Sequence, residues 1–379
     1  MKKILVVIGT RPDVIKMSPL IRALRAENNT FFVKICDTGQ HLEMKRAELD
    51  FFQIVPDYQL NALSENQSLS QLIAYLLQKF QELINDFQPD LIIVQGDTAS
   101  ALAASLASFN HQIPLAHVEA GLRTYDRNAP YPEEINRQLI ARLGTMHFAP
   151  TAFAKENLLA ERIDSKNIYV VGNTIVDALQ FTMAKIRQKT PPLVAELTRA
   201  IQAKRQADEK MVLITLHRRE NLDHHLVEIT QALQTISQQH KLFFLFPVHA
   251  NPRVQSWASE LAAVLPNILL TQALPYAVFV WAMQASDLIL TDSGGIQEEA
   301  PTIGKPVVVM RNATERQEAL RNGVVRHVSV KKNEIIEAVQ SIFRQGVLLS
   351  RVADNPFGKG DSARQIVACI KNFLLNAKH

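Results

Sequence analysis

The chain reads as an α/β protein built from two doubly wound domains, and three observations point there. Short, β-branched apolar runs alternate with helical patterns from one end of the sequence to the other. The runs are continuously apolar, as strands buried on both faces are, rather than alternating. At 379 residues the chain is too long for one ordinary compact domain, so two are expected.

Taken in order, strand candidates in the first half are 3–8, 32–36, 91–94, 115–118, 146–148 and 168–171. Helical patterns fall between them at 14–27, 69–87, 98–109, 133–143 and 152–161. The second half repeats the scheme with strands at 212–216, 242–246, 268–270, 288–291 and 307–310. Between the two series, 184–210 is rich in Lys, Arg and Gln and carries Pro191-Pro192. A hinge is expected near Asn173. A last helical pattern at 363–375 follows a turn-rich stretch and is expected to return to the first domain. The expected division is 1–172 with a C-terminal helix at 361–379, and 173–360.

Composition excludes several classes. Forty-one Lys and Arg against 37 Asp and Glu leave a net charge of +4, too small a surplus for a dedicated nucleic-acid binder. With 47% hydrophobic and 21% charged residues the chain can fill its cores, which argues against disorder. Cys36 and Cys369 are the only cysteines, so neither a disulfide framework nor a cysteine metal cluster is expected. The apolar run at residues 4–8 is too short for a signal peptide. No stretch approaches the roughly 18–20 apolar residues of a membrane helix. The cytoplasm is the expected location.

Open parallel sheets bind ligands outside the carboxyl ends of their strands, which makes strand-end residues the informative ones. The first strand runs into Gly9-Thr10-Arg11-Pro12-Asp13-Val14-Ile15-Lys16. This is not the Gly-x-Gly-x-x-Gly of a dinucleotide fold, so a nicotinamide cofactor is not supported. Thr10 can cap a helix with Pro12 in its first turn, a natural anion site, and Arg11 and Lys16 are either its cations or ordinary surface residues. Asp97, in Gln95-Gly96-Asp97-Thr98, is a functional acid or a helix N-cap. Glu119 directly follows a buried strand, and such a carboxylate needs a function or a partner; Arg123 and Arg127 are candidates for the latter. Glu133 and Glu134 open a helix, where the dipole alone favours acids. Carboxylates crowded together repel one another, so at least one of the cluster is expected to hold a proton.

In the second half, His217-Arg218-Arg219 at a strand end suggests an anion site with a proton-shuttling imidazole. His224-His225 is expected to be loop without metal-ligand spacing. Ser293-Gly294-Gly295 stands between a strand and a helix, where bare amides can approach a diphosphate or glycine simply allows close packing. Glu299, one turn on, suits ribose hydroxyls. Phe279 and Trp281 read as core residues, or as a base-stacking ring.

These segments, in order along nearly the whole chain, resemble the non-hydrolysing UDP-N-acetylglucosamine 2-epimerases of bacteria. The resemblance runs from Gly9-Thr10-Arg11-Pro12 through Thr38-Gly39-Gln40-His41, Gly96-Asp97-Thr98 and His117-Val118-Glu119-Ala120-Gly121-Leu122-Arg123-Thr124. It continues in Tyr131-Pro132-Glu133-Glu134, Gly172-Asn173-Thr174, His217-Arg218-Arg219-Glu220-Asn221, Ser293–Glu299 and Thr314-Glu315-Arg316. Asp13, Ala129 and Gln317 depart from the commoner residues of that pattern.

The resemblance implies two Rossmann-like domains facing across a cleft, a glycosyltransferase-B-like arrangement, acting as a homodimer without metal or cofactor. It implies interconversion of UDP-N-acetylglucosamine and UDP-N-acetylmannosamine for surface-polysaccharide synthesis. UDP would be eliminated to leave 2-acetamidoglucal and then added back, because C2 has no adjacent carbonyl to acidify its proton. By motif position Asp97, Glu119, Glu133 and His217 form the catalytic set. Arg11, Lys16, His217, Ser293, Gly294, Gly295 and Arg316 would hold the nucleotide and its phosphates, with Phe279 and Leu274 near uracil and Glu299 on ribose. Gln40, Arg218 and His249 suit an activating second UDP-N-acetylglucosamine. A hydrolysing relative, an epimerase of a related UDP-2-acetamido sugar and a non-catalytic UDP-sugar-binding protein are the alternatives.

Overall fold

The computed structural model describes residues 1–39, 42–62, 67–311, 316–322, 324–345 and 355–376. Its contacts divide the chain into two units, Met1–Ala178 with Phe357–His379, and Leu179–Pro356.

The first unit runs β1 Lys2–Ile8, α1 Arg11–Ala26, β2 Phe31–Asp37, α2 Leu42–Phe52, β3 Tyr58–Gln59, α3 Leu69–Phe87 and β4 Leu91–Gln95. It continues with α4 Ala99–Asn110, β5 Leu115–Val118, α5 Glu133–Leu143, β6 Met146–Ala149, α6 Ala152–Ala160, β7 Ile168–Val170 and the start of α7, Thr174–Gln188. Its seven strands are all parallel, in the order β3-β2-β1-β4-β5-β6-β7. Strand β1 shows why its sequence is apolar throughout. Ile4, Val6 and Ile8 enter the core under α1, while Leu5 and Val7 enter the opposite core with α3 and α4.

The second unit contains α8 Pro192–Lys204, β8 Lys210–Thr215, α9 Arg219–His224, α10 Leu226–Gln239, β9 Leu242–Val248, α11 Pro252–Val264 and β10 Ile268–Gln272. After these come α12 Tyr276–Ala285, β11 Leu288–Thr291, α13 Gly294–Ile303, β12 Val307–Met310, β13 Val325–Val328 and α14 Lys332–Gln345. Its six parallel strands are ordered β10-β9-β8-β11-β12-β13. Val212, Ile214 and Leu216 line one core with Ile229, Leu233 and Ile236 of α10.

The last helix, α15 Ser362–Asn376, rejoins the first unit. Ala363, Ile366, Val367, Ile370 and Leu374 recur at helical spacing and fill the core under α1. Both sheets are doubly wound, and in each the strand order reverses once, between β1 and β4 and between β8 and β11.

Two strands escape the sequence patterns. Strand β3 has two residues, too few for any periodicity. Strand β13, Val-Arg-His-Val, is an edge strand with a mixed polar face. His224-His225 is not loop: His224 closes α9 and His225 is the N-cap of α10. No described helix is long and apolar enough to cross a membrane.

Candidate active site

In the first unit the chemistry collects at the switch point. Gly9, after β1, lies where a Cβ would meet Ser100 Oγ at 2.6 Å, so only glycine lets this turn pack against α4. The Oδ2 atom of Asp13 accepts the amides of Gly9 and Thr10, each at 2.9 Å. The expected anion site at this helix start therefore has its own resident carboxylate. Burial pushes the Asp13 carboxyl up to about 6, against the pull of those amide donors. Asp97 adds to the rise.

The neighbouring cations are paired. Arg11 Nε donates to Glu48 Oε1 at 2.8 Å, and Lys16 forms a short ion pair with Glu119 Oε2. One turn before Glu48 on α2, Lys45 binds the Gly9 carbonyl at 2.9 Å and pairs with Asp37, both side chains being fully buried. Helix α2 thus secures the Gly9–Arg11 turn.

Asp97 is not the N-cap of α4. Thr98 is, accepting the Ala101 amide at 3.1 Å. Asp97 Oδ2 instead receives Arg137 Nε at 2.7 Å, and its carbonyl receives Asn136 Nδ2 at 2.8 Å. Both partners come from α5. Arg123, one expected partner of Glu119, is instead clamped by Glu161 through Nε at 2.6 Å and Nη2 at 2.9 Å. The Glu119 backbone is left-handed, with φ of 64°, a conformation rarely kept by a residue with a side chain. Asn173 Nδ2 donates to its Oε2 at 2.8 Å.

The two glutamates that open α5 separate cleanly. Glu134 is buried and accepts the amides of Thr124 and Tyr125 at 3.0 and 3.2 Å, so it braces a loop. Glu133 is half-buried. The expected mutual repulsion of Asp97, Glu119 and Glu133 gives way to pairing, since Asp97 and Glu119 each meet a cation. Asp13, beside this group, is a carboxyl held toward its protonated form, and burial is the main cause.

Beneath these strand ends lie two buried histidines facing each other across β5 and β6. His117 Nε2 contacts the Gly96 carbonyl at 2.8 Å. Since that oxygen only accepts, the proton sits on Nε2. Burial lowers His117 to about 3 and His147 to about 4.

The second unit builds its site around Asp292, fully buried after β11. Its carboxylate accepts the amides of His217 and Arg218, the latter at 2.8 Å, and Asn221 Nδ2 at 3.2 Å. His217 Nδ1 stands 3.3 Å from Oδ1. Burial holds the His217 imidazole below its usual range, more strongly than Asp292 raises it, and Arg218, His249 and Arg311 act in the same sense as burial. His249 stacks on His217 at 5.7 Å. Gln40 lies outside the described residues.

Ser293 is the N-cap of α13. A Cβ on Gly294 would fall 2.5 Å from Arg316 Nη1, whereas one on Gly295 would meet only Ser293 Oγ at 3.9 Å. Arg316 Nε is bound to buried Glu298 at 2.7 Å. Tyr276 Oη donates to Glu299 Oε1 at 2.7 Å, leaving Leu274 buried and Phe279 half-buried on the same stretch.

The sequence model of UDP-N-acetylglucosamine 2-epimerase matches residues 22–371. The chain belongs to that epimerase family. It is 42% identical over 373 residues to UDP-N-acetylglucosamine 2-epimerase of Yersinia pestis, covering 98% of each chain. It is also 42% identical over 374 residues to the protein of that name in Escherichia coli K12, again covering 98% of each. The crystal structure of UDP-GlcNAc 2-epimerase from Neisseria meningitidis, bound to UDP-GlcNAc, superimposes with a TM-score of 0.89 at 39% identity, covering 97% of this chain and 99% of that one. The glycosyltransferase-B-like class of the fold follows from the two parallel sheets and this likeness.

Within this epimerase family frame, reading the sequence missed Arg137, Asn173, Asp292 and Glu298 as partners of the expected site residues. Asn173 and Glu298 lie inside segments that carry the resemblance, and Asp292 has a signal of its own, an acid directly after a buried strand, as Glu119 is.

Proposed function

We propose that the chain is a non-hydrolysing epimerase that interconverts UDP-N-acetylglucosamine and UDP-N-acetylmannosamine, in the cytoplasm, as a homodimer serving surface-polysaccharide synthesis. The observation that carries the reading is the pair of cation-held carboxylates, Asp97 with Arg137 and Glu119 with Lys16, at adjacent strand ends. One carboxylate removes the C2 proton as the C1–O bond breaks. The electron pair leaves on the diphosphate, and a C1–C2 double bond forms. In the return step a proton reaches C2 on its opposite face and a diphosphate oxygen bonds to C1.

Asp97, Glu119, Glu133 and His217 are the catalytic set in this reading. Arg11, Lys16, Arg316 and the amides of Ser293, Gly294 and Gly295 stabilise the departing diphosphate, while Phe279, Leu274 and Glu299 hold uridine. With its Nδ1–H turned to Asp292 and its charge suppressed by burial, neutral His217 presents a bare Nε2 that takes up a proton before it can return one toward phosphate. A second UDP-N-acetylglucosamine at Gln40, Arg218 and His249 activates the enzyme, which a sigmoidal substrate response would show and a hyperbolic one refute.

Incubation with UDP-N-acetylglucosamine in deuterium oxide, followed by NMR, tests the main reading. UDP-N-acetylmannosamine deuterated at C2 is the expected product. Free N-acetylmannosamine with UDP would establish the hydrolysing alternative, and absence of exchange and of any new species would refute both.

A further inference from the structure

Asn173 closes the turn from β7 to α7 and is 2% exposed. Its four polar groups are all engaged, the carbonyl by the Val176 amide at 3.0 Å. Oδ1 accepts the Ile175 amide at 3.1 Å, so the side-chain nitrogen must face the other way, where it donates to Glu119 Oε2 at 2.8 Å. The Asn173 amide donates to the Phe357 carbonyl at 2.6 Å.

The segment that returns to the first unit supports this arrangement. Gly172 has φ of 81°, and a Cβ there would fall 2.7 Å from Ser362 Oγ and 2.9 Å from Phe357 O. Asp177, one turn into α7, accepts the amides of Ser362 and Ala363 at 3.3 and 2.9 Å. The start of α15 is therefore latched on both sides of Asn173. Lys16, a second donor on Glu119 Oε2 among the described residues, has a long and flexible stem. Asn173 is short and pinned at three points, which makes it the better reference for the direction of the carboxylate.

We propose that Asn173 is a positioning residue that aims the Glu119 carboxylate, and that residues 357–363 hold it in place. The inference rests on the assignment of Glu119 to the reaction. Asn173→Asp tests it, because the substitution keeps an oxygen for the Ile175 amide and replaces the donor toward Glu119 with an anion. The thermal midpoint is expected to fall by several degrees, since an anion is brought beside a buried carboxylate, with the variant still folded at the assay temperature. Turnover is expected to fall roughly 10²-fold with KM changed less than about threefold.

An independent readout is the titration of the Glu119 carboxyl in the resting protein, followed by 13C NMR of glutamate-labelled material and assigned with Glu119→Gln. Lys16 from α1 and His117 from β5 are among the titratable groups that also act on it. In Asn173→Asp the midpoint should rise by at least about one pH unit, from the added like charge and the lost donor. An unmoved titration overturns the proposal, whether or not the thermal midpoint falls. A parent protein without epimerase activity but with a moved titration would sink the functional reading and leave the aiming of Glu119 supported.

Discussion

Gly294→Ala places a methyl group where the structure has no room for it. The new carbon would lie 2.5 Å from Arg316 Nη1 and 2.9 Å from Cζ, well inside contact distance. The guanidinium, the far end of a flexible side chain, must shift aside and strain its 2.7 Å bond to Glu298, whose side chain is 0% exposed. Removing one partner of a buried ion pair costs about 3–5 kcal/mol, and the better helix propensity of alanine returns at most about 1 kcal/mol. With the pair lost outright the net cost would be about 2–4 kcal/mol, and that is the upper limit. Gly295→Ala is the matched control, because its methyl would first meet Ser293 Oγ at 3.9 Å. Urea unfolding should separate the two, with Gly294→Ala destabilised and Gly295→Ala unchanged or slightly stabilised. UDP binding by calorimetry should weaken in both, since either methyl crowds the amides assigned to the diphosphate. Equal unfolding midpoints for the two variants would refute the argument that Gly294 exists to admit Arg316.

Glu119→Gln or Asp97→Asn should lower turnover roughly 10²–10⁴-fold, the usual worth of an acid–base group; near-parental turnover in a folded variant removes that residue from the catalytic set. Asp13 is raised from 3.8 to about 6 in the fold, so between those values the folded state binds more protons than the unfolded one and stability falls as pH rises. The loss amounts to about 3 kcal/mol, and Asp13→Asn should abolish it in chemical denaturation across that range. His117 and His147 move the opposite way, from 6.5 to about 3 and about 4. Their contribution is complete above pH 6.5 and lost as pH falls toward those values, at about 1.4 kcal/mol per pH unit for each. His147→Asn should remove one proton from the uptake on acid unfolding, and an unchanged slope of stability against pH would refute its buried neutral state.

Much of this architecture was legible because parallel sheets buried on both faces write themselves as apolar runs. Leu91, Leu115 and Leu288 begin strands where the runs begin, and the helix at Leu69–Phe87 matches its pattern at both ends. Strand β13 was not legible, because Arg326 and His327 interrupt its run at the sheet edge. The site was legible in part. Asp97, Glu119 and His217 follow apolar strands, a position that is visible in one dimension. Their partners are not, since Arg137 lies 40 residues from Asp97 and Lys16 lies 103 residues from Glu119. Arg123 sits four positions after Glu119, yet pairs with Glu161 at the C-cap of α6 instead.

The sequence by itself determined the α/β class, the strand ends where chemistry collects, and the residue types found there. Those follow from local rules: burial dictates apolar runs, and a charge placed after a buried strand must be answered by something. Tertiary structure decided what answers it. Sheet order brings β1 beside β4 and β8 beside β11, and the return of α15 sets the Phe357 carbonyl on the Asn173 amide. Such pairings depend on which strands adjoin, a property of the folded chain that no spacing along it encodes.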